Sequence, residues 1–589
     1  MLEQRNLILA IVLSMAVLFG FEHFFGSKAP PPTQQTAETS AGAPSVAAPG
    51  AAPGAAPGTA PSAPGGATVP TAPGATAEQV ATETRAQALA ADTDRVTINT
   101  PSLNGSIRLK GGRIDDLTLV TYHETTDPTS PEITLLSPTG APHPYYAEFG
   151  WVTGDKSVKV PDANTVWTAS SKTLTDKAPV TLTWDNGQGL KFTRRISIDA
   201  HYMFTIEQMV ENTWDTPRTL FPYGLIKRDG EPKTVNFYIL HEGPLGVFDG
   251  TLKEEKYSAV KDDGEIKYTT EGGGWLGITD KYWLTALAMD QTMPSNARFL
   301  YAPKGTEDGY QTDYTSSKPY DVSPGSMVQV TNRFFAGAKE VDLLDAYTDN
   351  LGITNFDLAI DFGWFYFLTK PFFLALQFLH GILGNMGLAI LAFTVFLKAL
   401  FFPLANKSYR SMSKMKLLQP EMKKLQERFK DDRQRLNTEM MALYKKEKVN
   451  PLAGCLPIVI QIPVFFALYK VLFVSIEMRH APFYGWIKDL SAPDPTNIFT
   501  LFGLIPWDPP SMLMIGIWPV IMGITMFLQQ KLNPAPADPT QAKIMMFLPL
   551  IFTFMLGHFA AGLVIYWSWN NTLSITQQWI IMRRMGAKP

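Results

Sequence analysis

One lysine interrupts an otherwise apolar segment in the second half of the chain. Residues 387–412 read GLAILAFTVFLKALFFPLANKSYRSM, with apolar residues on both sides of Lys398. A charged side chain at the centre of a membrane helix costs about 2.5–3.5 kcal/mol on insertion scales. Lys398 is therefore a candidate functional residue, and its chemistry would be the electrostatic attraction of an anionic group.

Three arrangements could accommodate Lys398. The inner end of its helix is expected near residues 403–406, about 8–12 Å away, so the side chain could reach the interface by snorkelling. An ion pair would need an acidic partner, but the candidate spans after the first contain no Asp or Glu. The third arrangement is a polar cavity that opens inwards, keeps the lysine charged and attracts acidic, hydrated segments from the cytoplasm.

Other polar residues at membrane depth could line such a cavity. Thr394 lies four residues before Lys398, on the same helical face. The further candidates are Gln461, Gln530, Ser568, Asn570, Asn571, Ser574 and Gln577. Each of them alone more often makes a helix–helix hydrogen bond. Together with an unpaired cation, they favour the cavity.

The remaining reactive residue types form no catalytic constellation. Cys455 is the only cysteine, which excludes an intramolecular disulfide. His558 is the only histidine in the later spans, and no serine motif accompanies it. His123 and His241 are each followed by glutamate but lack further ligands at helical or hairpin spacing, so we interpret them as surface or loop histidines. We predict no enzymatic activity, no cofactor and no metal site.

The N-terminal region is predicted to anchor a domain outside the cytoplasm. Residues 7–25 are apolar and follow Arg5, as in a signal peptide or an uncleaved anchor. A lysine and a proline make the following site poor for cleavage, so we predict a signal-anchor helix over residues 1–28. Residues 29–81, rich in Ala and Pro, are predicted to be a disordered linker.

The next segment has the pattern of an all-β domain. Residues 180–199, VTLTWDNGQGLKFTRRISID, contain two alternating runs joined by Asp185-Asn186-Gly187, a tight-turn signal. Similar alternation occurs in residues 96–98, 106–109, 202–213 and 328–335. We predict an extracytoplasmic antiparallel β-sandwich over residues 82–345.

The C-terminal half is predicted to contain five membrane spans, which with the anchor makes six. The candidates are residues 384–404, 452–474, 512–530, 544–562 and 563–582. Residues 407–448 contain thirteen Lys or Arg and six acidic residues, so this loop should face the cytoplasm, as should both termini. Only one membrane span can then lie between the anchor and this cytoplasmic loop. Residues 356–380, aromatic and broken by Lys370-Pro371, are therefore predicted to form an amphipathic helix on the outer interface.

The basic loop is predicted to form a helical hairpin over residues 406–450. Apolar residues with helical spacing form two stripes: Met415, Leu418, Met422, Leu425 and Phe429 in the first, Leu436, Met440 and Leu443 in the second. The stripes could pack only against each other. Alternatively, the flexible methionines and leucines, Met415, Leu418, Met422, Leu425 and Met440, could also capture apolar segments of another chain. The basic surface could also contact ribosomal RNA.

Several motifs resemble the YidC family of membrane protein insertases. They are MALYKKEKVNP, PLAGCLPIVIQIPVFFALYKVL, MGITMFLQQKL and GLVIYWSWN, and the resemblance covers residues 361–584. The anchor, linker and β-domain resemble the Gram-negative form of the family, a polytopic α-helical protein with a periplasmic β-supersandwich. The resemblance implies a bacterial inner-membrane insertase and chaperone with its insertase core over residues 382–584. The implied partners are nascent membrane proteins, the Sec translocon, the ribosome and signal recognition particle pathway, and membrane lipids, with no direct binding to DNA.

The resemblance also assigns roles to single residues. Lys398 matches the positive residue of the family's hydrophilic groove, which is arginine in many relatives, and Thr394 matches a neighbouring position; Gln461 and Gln530 are predicted to line the same groove. A lysine keeps the charge but lacks the planar fork of arginine.

Four aromatic residues complete the predicted site. Tyr566 and Trp567 match an aromatic pair that resembles the family's substrate contact, and Phe465 and Phe466 are expected to form an apolar surface along which nascent spans slide. Two other classes of function remain open at this point. One is a polar-solute channel or transporter, and the other is a carbohydrate-processing enzyme whose activity would reside in residues 82–345.

Overall fold

The computed structural model describes most of the chain after the linker. The described residues are 69–74, 84–232, 240–305, 307–363, 365–429, 432–447, 449, 456–501, 504–507, 509–510, 513–534 and 539–586. The predicted anchor, residues 1–28, and most of the predicted linker lie outside the described residues.

Twenty strands make up the β-domain in the part of the chain that the structure describes. They are β1 (Arg95–Asn99), β2 (Leu103–Arg108), β3 (Arg113–His123), β4 (Glu132–Leu136), β5 (Tyr145–Val152), β6 (Thr168–Ala169), β7 (Thr173–Leu174), β8 (Val180–Asp185), β9 (Leu190–Ile198), β10 (Met203–Asn212), β11 (Arg218–Asp229), β12 (Gly243–Phe248), β13 (Thr251–Glu254), β14 (Glu265–Thr270), β15 (Gly274–Thr279), β16 (Trp283–Ala288), β17 (Ser295–Tyr301), β18 (Gly309–Ser316), β19 (Tyr320–Val322) and β20 (Met327–Ala338). Two short helices, α1 (Arg85–Ala91) and α2 (Tyr257–Asp263), accompany them.

These strands form two sheets. The first runs β14-β17-β18-β11-β5-β3-β2-β1-β7, with β19 beside β11 and β4 beside β3, and the second runs β13-β12-β15-β16-β20-β10-β9-β8-β6. Neighbouring strands are antiparallel except β1 and β7, which are parallel. The predicted tight turn joins β8 to β9 with Asp185 opposite Lys191. The β-sandwich is therefore confirmed.

A buried arginine crosses between the two sheets. Arg194 of β9 is 1% exposed, and its guanidinium donates to the carbonyl oxygens of Gly112, at 2.7 Å, and of Phe149 on β5. The guanidinium also lies 4.7 Å from the ring centroid of Trp167. Gly112 has a φ of +63°, and a Cβ there would lie 2.6 Å from Arg194 Nη1, so the turn requires glycine.

A short part of the predicted disordered linker packs on the β-domain. Ala72 is 2% exposed, and its carbonyl oxygen accepts from Arg298 Nη2 at 2.7 Å. The carbonyl of Pro73 accepts from Gln311 Nε2 at 3.1 Å. For residues 69–74 the prediction of disorder is therefore wrong. The extended, proline-rich backbone leaves carbonyl groups free, and the β-domain supplies side-chain donors for them.

The helical half follows the β-domain. Its helices are α3 (Val341–Leu351), α4 (Tyr366–Leu383), α5 (Met386–Leu400), α6 (Phe402–Leu417), α7 (Gln419–Arg428), α8 (Arg433–Lys446), α9 (Leu456–Val474), α10 (Ile517–Leu532), α11 (Pro539–Leu556) and α12 (Ala561–Arg584). By length and composition, α4 alone among the described helices could cross a membrane, and α5 with α6, bent by 69°, could be a second span. Helices α5, α9, α10, α11 and α12 coincide with the five predicted spans, and the count of six stays a prediction.

Helix α4 forms ion pairs on one side and exposes apolar side chains on the other. Lys370 Nζ lies 2.8 Å from Asp345 Oδ1 of α3 and 3.3 Å from Asp357 Oδ2. On the other side, Phe378 and Ile382 are 69% and 64% exposed. This amphipathic arrangement is typical of an interfacial helix, and the predicted interfacial position remains a prediction.

The basic loop contains three helices instead of two. The predicted apolar stripe from Met415 to Phe429 is interrupted at Leu418, between α6 and α7. Pro420 lies in the first turn of α7 and has no N–H to continue the preceding helix. Helices α7 and α8 contact each other, with Tyr444 Oη 3.8 Å from Met422 Sδ.

Candidate functional site

Lys398 lies in the last turn of α5, directly before the bend to α6. Asn385 caps the start of α5, with its side-chain oxygen accepting from the N–H of Leu388 at 3.0 Å. Thr394 is 1% exposed and donates its hydroxyl to the carbonyl of Ile390 at 2.7 Å, so it bonds within its own helix. A cation in the last turn of a helix is favourably placed relative to the helix dipole.

The amine of Lys398 meets a neutral partner. Its Nζ donates to Ser574 Oγ on α12 at 2.7 Å, and that hydroxyl donates to the carbonyl of Asn570 at 2.8 Å. Among the described residues of the helical half, lysine ion pairs are made by Lys370 and Lys470, and Lys398 has none. The described hydrogen-bond partner of Lys398 is therefore a neutral hydroxyl, and a lysine without a built-in counter-ion stays a prediction.

Two cavities meet at Lys398. The first, here called the small pocket, has a volume of about 50 Å³. It is lined by Thr394, Leu397, Lys398, Phe401, Leu404, Ala405, Tyr409, Gln461, Val464, Tyr566 and Asn570. A water molecule needs about 10–15 Å³ by this kind of measure, so the small pocket has room for a few waters. The second, here called the large cavity, has a volume of about 1180 Å³ and is open.

Two adjacent contacts between α9 and α12 bring four predicted site residues together. Gln461 Nε2 donates to Tyr566 Oη at 2.7 Å, and the rings of Phe465 and Trp567 stack with centroids 4.6 Å apart. Gln461 and Phe465 are four residues apart and share one face of α9. Tyr566 is 1% exposed, and its contact closes one wall of the small pocket.

Other predicted groove residues lie elsewhere. Gln530, near the end of α10, lines neither cavity. Ser568 bonds to the carbonyl of Val564 within α12, and Asn571 Nδ2 donates to Thr525 Oγ1 on α10 at 3.3 Å. These two make the local and helix–helix hydrogen bonds that single polar residues usually make. Gln577 lines the large cavity.

The residues predicted to contact apolar parts of a substrate differ in exposure. Phe466 is 38% exposed and lies 6.5 Å from the ring of Phe365. Met422 and Met440, predicted to capture apolar segments, are 6% and 8% exposed. The three other predicted capture residues, Met415, Leu418 and Leu425, are half-buried. This burial favours packing within the basic loop.

The sequence reasoning missed a group of cations. Lys407, Arg410 and Lys414 of α6 and Arg584 of α12 all line the large cavity. The first three are three and four residues apart, so they share one helical face. That spacing could have revealed them, but the basic residues of the loop were used to orient the chain in the membrane and as a possible contact with ribosomal RNA.

Comparison with known proteins identifies the family. Residues 95–375 match the family described as YidC periplasmic domain, and residues 378–588 match the family described as 60Kd inner membrane protein. The membrane protein insertase YidC of Methylobacterium nodulans is 52% identical over 604 residues, covering 100% of this chain and 96% of that protein. The membrane protein insertase YidC of Bradyrhizobium diazoefficiens is 52% identical over 605 residues, covering 100% of this chain and 97% of that protein. A crystal structure of an active YidC insertase is 16% identical, covers 82% of this chain and 92% of that chain, and has a TM-score of 0.35.

The two family matches define an inner-membrane protein with a periplasmic β-sandwich domain. The chain belongs to the YidC family of membrane protein insertases. It is therefore an insertase and not an enzyme, which decides against the carbohydrate-processing alternative and against the solute channel.

Proposed function

We propose that the small pocket draws the polar flank of a nascent membrane protein part of the way into the bilayer. The observation that supports this role is the environment of Lys398, whose amine contacts only the hydroxyl of Ser574 among the described residues. A charge held by a neutral hydroxyl remains available to an incoming carboxylate, which would form the stronger, charge-assisted hydrogen bond.

The attraction is large enough to matter. At an effective dielectric constant near 20, a carboxylate about 4 Å from the amine gains roughly 4 kcal/mol before its desolvation is counted. This gain offsets part of the cost of moving a short polar tail into the membrane. The apolar span of the substrate then leaves sideways into lipid, driven by burial of its side chains. No covalent bond is broken and no cofactor takes part.

We propose that the aromatic residues of α9 and α12 guide the apolar span. Phe466 is exposed, and Phe465 and Trp567 form a stacked pair in the adjacent helix contact. Tyr566 lies at the small pocket, next to this pair. A crosslinker placed at Trp567 is expected to capture a stalled nascent span.

We propose that α7 and α8, a cytoplasmic helical hairpin, make the first contact with the nascent chain. Met422 and Met440 are buried, whereas Met441 of α8 and Leu417 at the end of α6 are 59% and 49% exposed and can receive an apolar segment. The excess of Lys and Arg in residues 407–448 supports a cytoplasmic position near the ribosome. Six spans with both termini in the cytoplasm, and cooperation with the Sec translocon and the signal recognition particle pathway, belong to the same proposal.

Charge reversal at Lys398 tests the proposal. In purified vesicles, we expect Lys398→Glu to impair insertion of acidic-tailed substrates more than Lys398→Ala, because reversal adds repulsion to the loss of attraction. Substrates with neutral tails should respond less to either change. Lys543→Glu is the matched control, since it reverses an exposed lysine at the start of α11 outside both cavities. Equal, undiminished insertion by both Lys398 variants would refute the electrostatic mechanism.

A further inference from the structure

Besides Lys398, the large cavity contains four cations that the proposed insertion mechanism does not use. Lys407, Arg410 and Lys414 project from one face of α6, and Arg584 meets them from the end of α12. The lining includes no acidic side chain, and none of the four makes an ion pair with another described residue. Four cations without an ion-pair partner among the described residues, together with Lys398, give the cavity a positive potential that attracts an anion.

Away from these four cations, apolar side chains surround Lys398 in the lining of the large cavity. Val395 of α5 and Phe402 at the bend line this part and are 46% and 50% exposed, and Ile580 of α12, one turn before Arg584, is 40% exposed. In an inner-membrane protein, such exposed apolar side chains contact acyl chains. Along α12 the apolar and cationic ends are separated by the distance from Leu573 to Arg584, about 16 Å at 1.5 Å per residue. The ligand that fits is therefore amphipathic, with its charge at one end.

A buried amide lies between the two ends. Gln577 lines the large cavity on α12, and its Nε2 is buried without a hydrogen-bond partner among the described residues. An unsatisfied buried donor is unfavourable, so a ligand oxygen that accepts from it is favoured. Ester and glycerol oxygens occupy this position in a phospholipid, between the phosphate and the acyl chains.

We propose that the large cavity binds one anionic phospholipid. The phosphate lies among Lys407, Arg410, Lys414 and Arg584, and an acyl chain follows the exposed apolar wall at Val395, Phe402 and Ile580. The volume of about 1180 Å³ exceeds the range of about 300–1,000 Å³ that is common for small-molecule pockets. An acidic peptide would satisfy the cations but would leave most of the apolar wall uncovered. Lys398 lines both cavities, but its amine donates to Ser574, so the proposed phosphate site is formed by the four other cations.

Lipid retention by the purified full-length protein tests the proposal. The protein is reconstituted in phosphatidylcholine nanodiscs containing phosphatidylglycerol, and the lipids retained after detergent extraction are measured by native mass spectrometry. The wild type should retain phosphatidylglycerol in preference to phosphatidylcholine. In the variant Lys407→Gln, Arg410→Gln, Lys414→Gln, Arg584→Gln, we expect this preference to fall by about tenfold or more.

A second quadruple variant controls for net charge. Lys423→Gln, Lys424→Gln, Lys445→Gln and Lys446→Gln remove the same charge from exposed positions on α7 and α8, outside both cavities, and should keep the preference. An equal loss of preference in both variants would mean general attraction to a basic surface and would overturn the proposal.

A cavity-filling variant tests the apolar half without removing any charge. Ala399 lines the large cavity, and Ala399→Trp should reduce retention of phosphatidylglycerol while every cation stays in place. Unchanged retention in this variant would contradict a built lipid site. Displacement of phosphatidylglycerol by inorganic phosphate at an equal concentration would also contradict it, because the acyl chain would then contribute nothing. Lys398 and Ser574 are intact in all of these variants, so the insertion assay reports separately on the proposed groove.

Discussion

Three arginines of the β-domain and Lys398 of the helical half have different kinds of partner. In the β-domain, Arg113 pairs with Glu148 at 2.7 Å, Arg298 pairs with Asp313 at 2.8 Å, and Arg194 is held by two backbone carbonyls. In the helical half, Lys398 meets only a hydroxyl among the described residues. A cation with saturated contacts stabilises one packed arrangement, whereas a cation with spare capacity can exchange its partner. The comparison teaches that charged or multiple partners fix a cation in place, and we propose that the single neutral partner of Lys398 leaves its charge available.

The largest expected effect concerns Arg194. Arg194→Met would leave the carbonyls of Gly112 and Phe149 buried without their donor, and we expect a loss of about 3 kcal/mol in unfolding free energy. Arg195→Met is the matched control on the same strand, because Arg195 is 47% exposed and pairs with Glu207 at the surface. It should cost less than about 1 kcal/mol. Chemical denaturation of the purified protein measures the unfolding free energy of both variants. Equal losses would mean that the buried Arg194 contributes no more to stability than the exposed Arg195.

The junction between the two regions should respond to pH. Burial, together with the nearby carboxylates of Glu340 and Asp342, raises the pKa of Glu477 from 4.5 to about 7. Its Oε1 accepts from the N–H of Val341 at 3.3 Å, and its Oε2 has no partner among the described residues. Between pH 4.5 and about pH 7 the folded state binds the proton of Glu477 more readily than the unfolded state does. The unfolding free energy therefore falls as the pH rises through this window.

Glu477→Gln tests this dependence. The wild type should lose at most about 3 kcal/mol of unfolding free energy between about pH 4.5 and about pH 7, and the glutamine variant should lose less. Thermal unfolding in detergent at both ends of the window measures the difference. The same pH dependence in both proteins would assign the effect to other groups.

A smaller effect on stability is expected at Lys398. Because no ion pair is lost, Lys398→Met should change the unfolding free energy by less than about 1 kcal/mol, while insertion of acidic-tailed substrates should fall about tenfold. A small change in unfolding free energy together with a large loss of insertion would distinguish a cation that binds substrate from one that stabilises the fold. A large loss of stability would place Lys398 in the same class as Arg194.

The smallest effect is expected at Ser574. Ser574→Ala removes the neutral hydroxyl that holds the amine but leaves the charge, so acidic-tailed substrates should insert at nearly the wild-type rate, within about twofold. Insertion kinetics in purified vesicles measure this. A defect as large as that of Lys398→Ala would mean that the hydroxyl, and not the free charge, carries the activity.

Local patterns predicted much of the fold. Alternation and the turn signal at Asp185–Gly187 predicted β8 and β9, and the long apolar runs predicted the positions of α5 and α9 to α12. The sequence did not reveal that residues 69–74 pack on the β-domain, because that contact depends on Arg298 and Gln311, more than two hundred residues away. It also missed the break at Leu418, although Pro420 could have indicated it.

The candidate site was predicted in part. Lys398 stood out because a charge in an apolar run is costly, and Tyr566 and Gln461 followed from the resemblance and from polarity. Gln530 has equal polarity and lines neither cavity, since polarity alone does not give the direction of a side chain.

The sequence by itself determined which segments are apolar, where the chain alternates and where the positive charges lie, because these depend on neighbouring residues only. The tertiary structure alone decided that Lys398 meets Ser574, 176 residues further along, and that the cations of α6 share a cavity with Arg584. Such contacts depend on how α5 and α6 pack against α12, and helix packing is set by the shapes of whole faces rather than by any one residue.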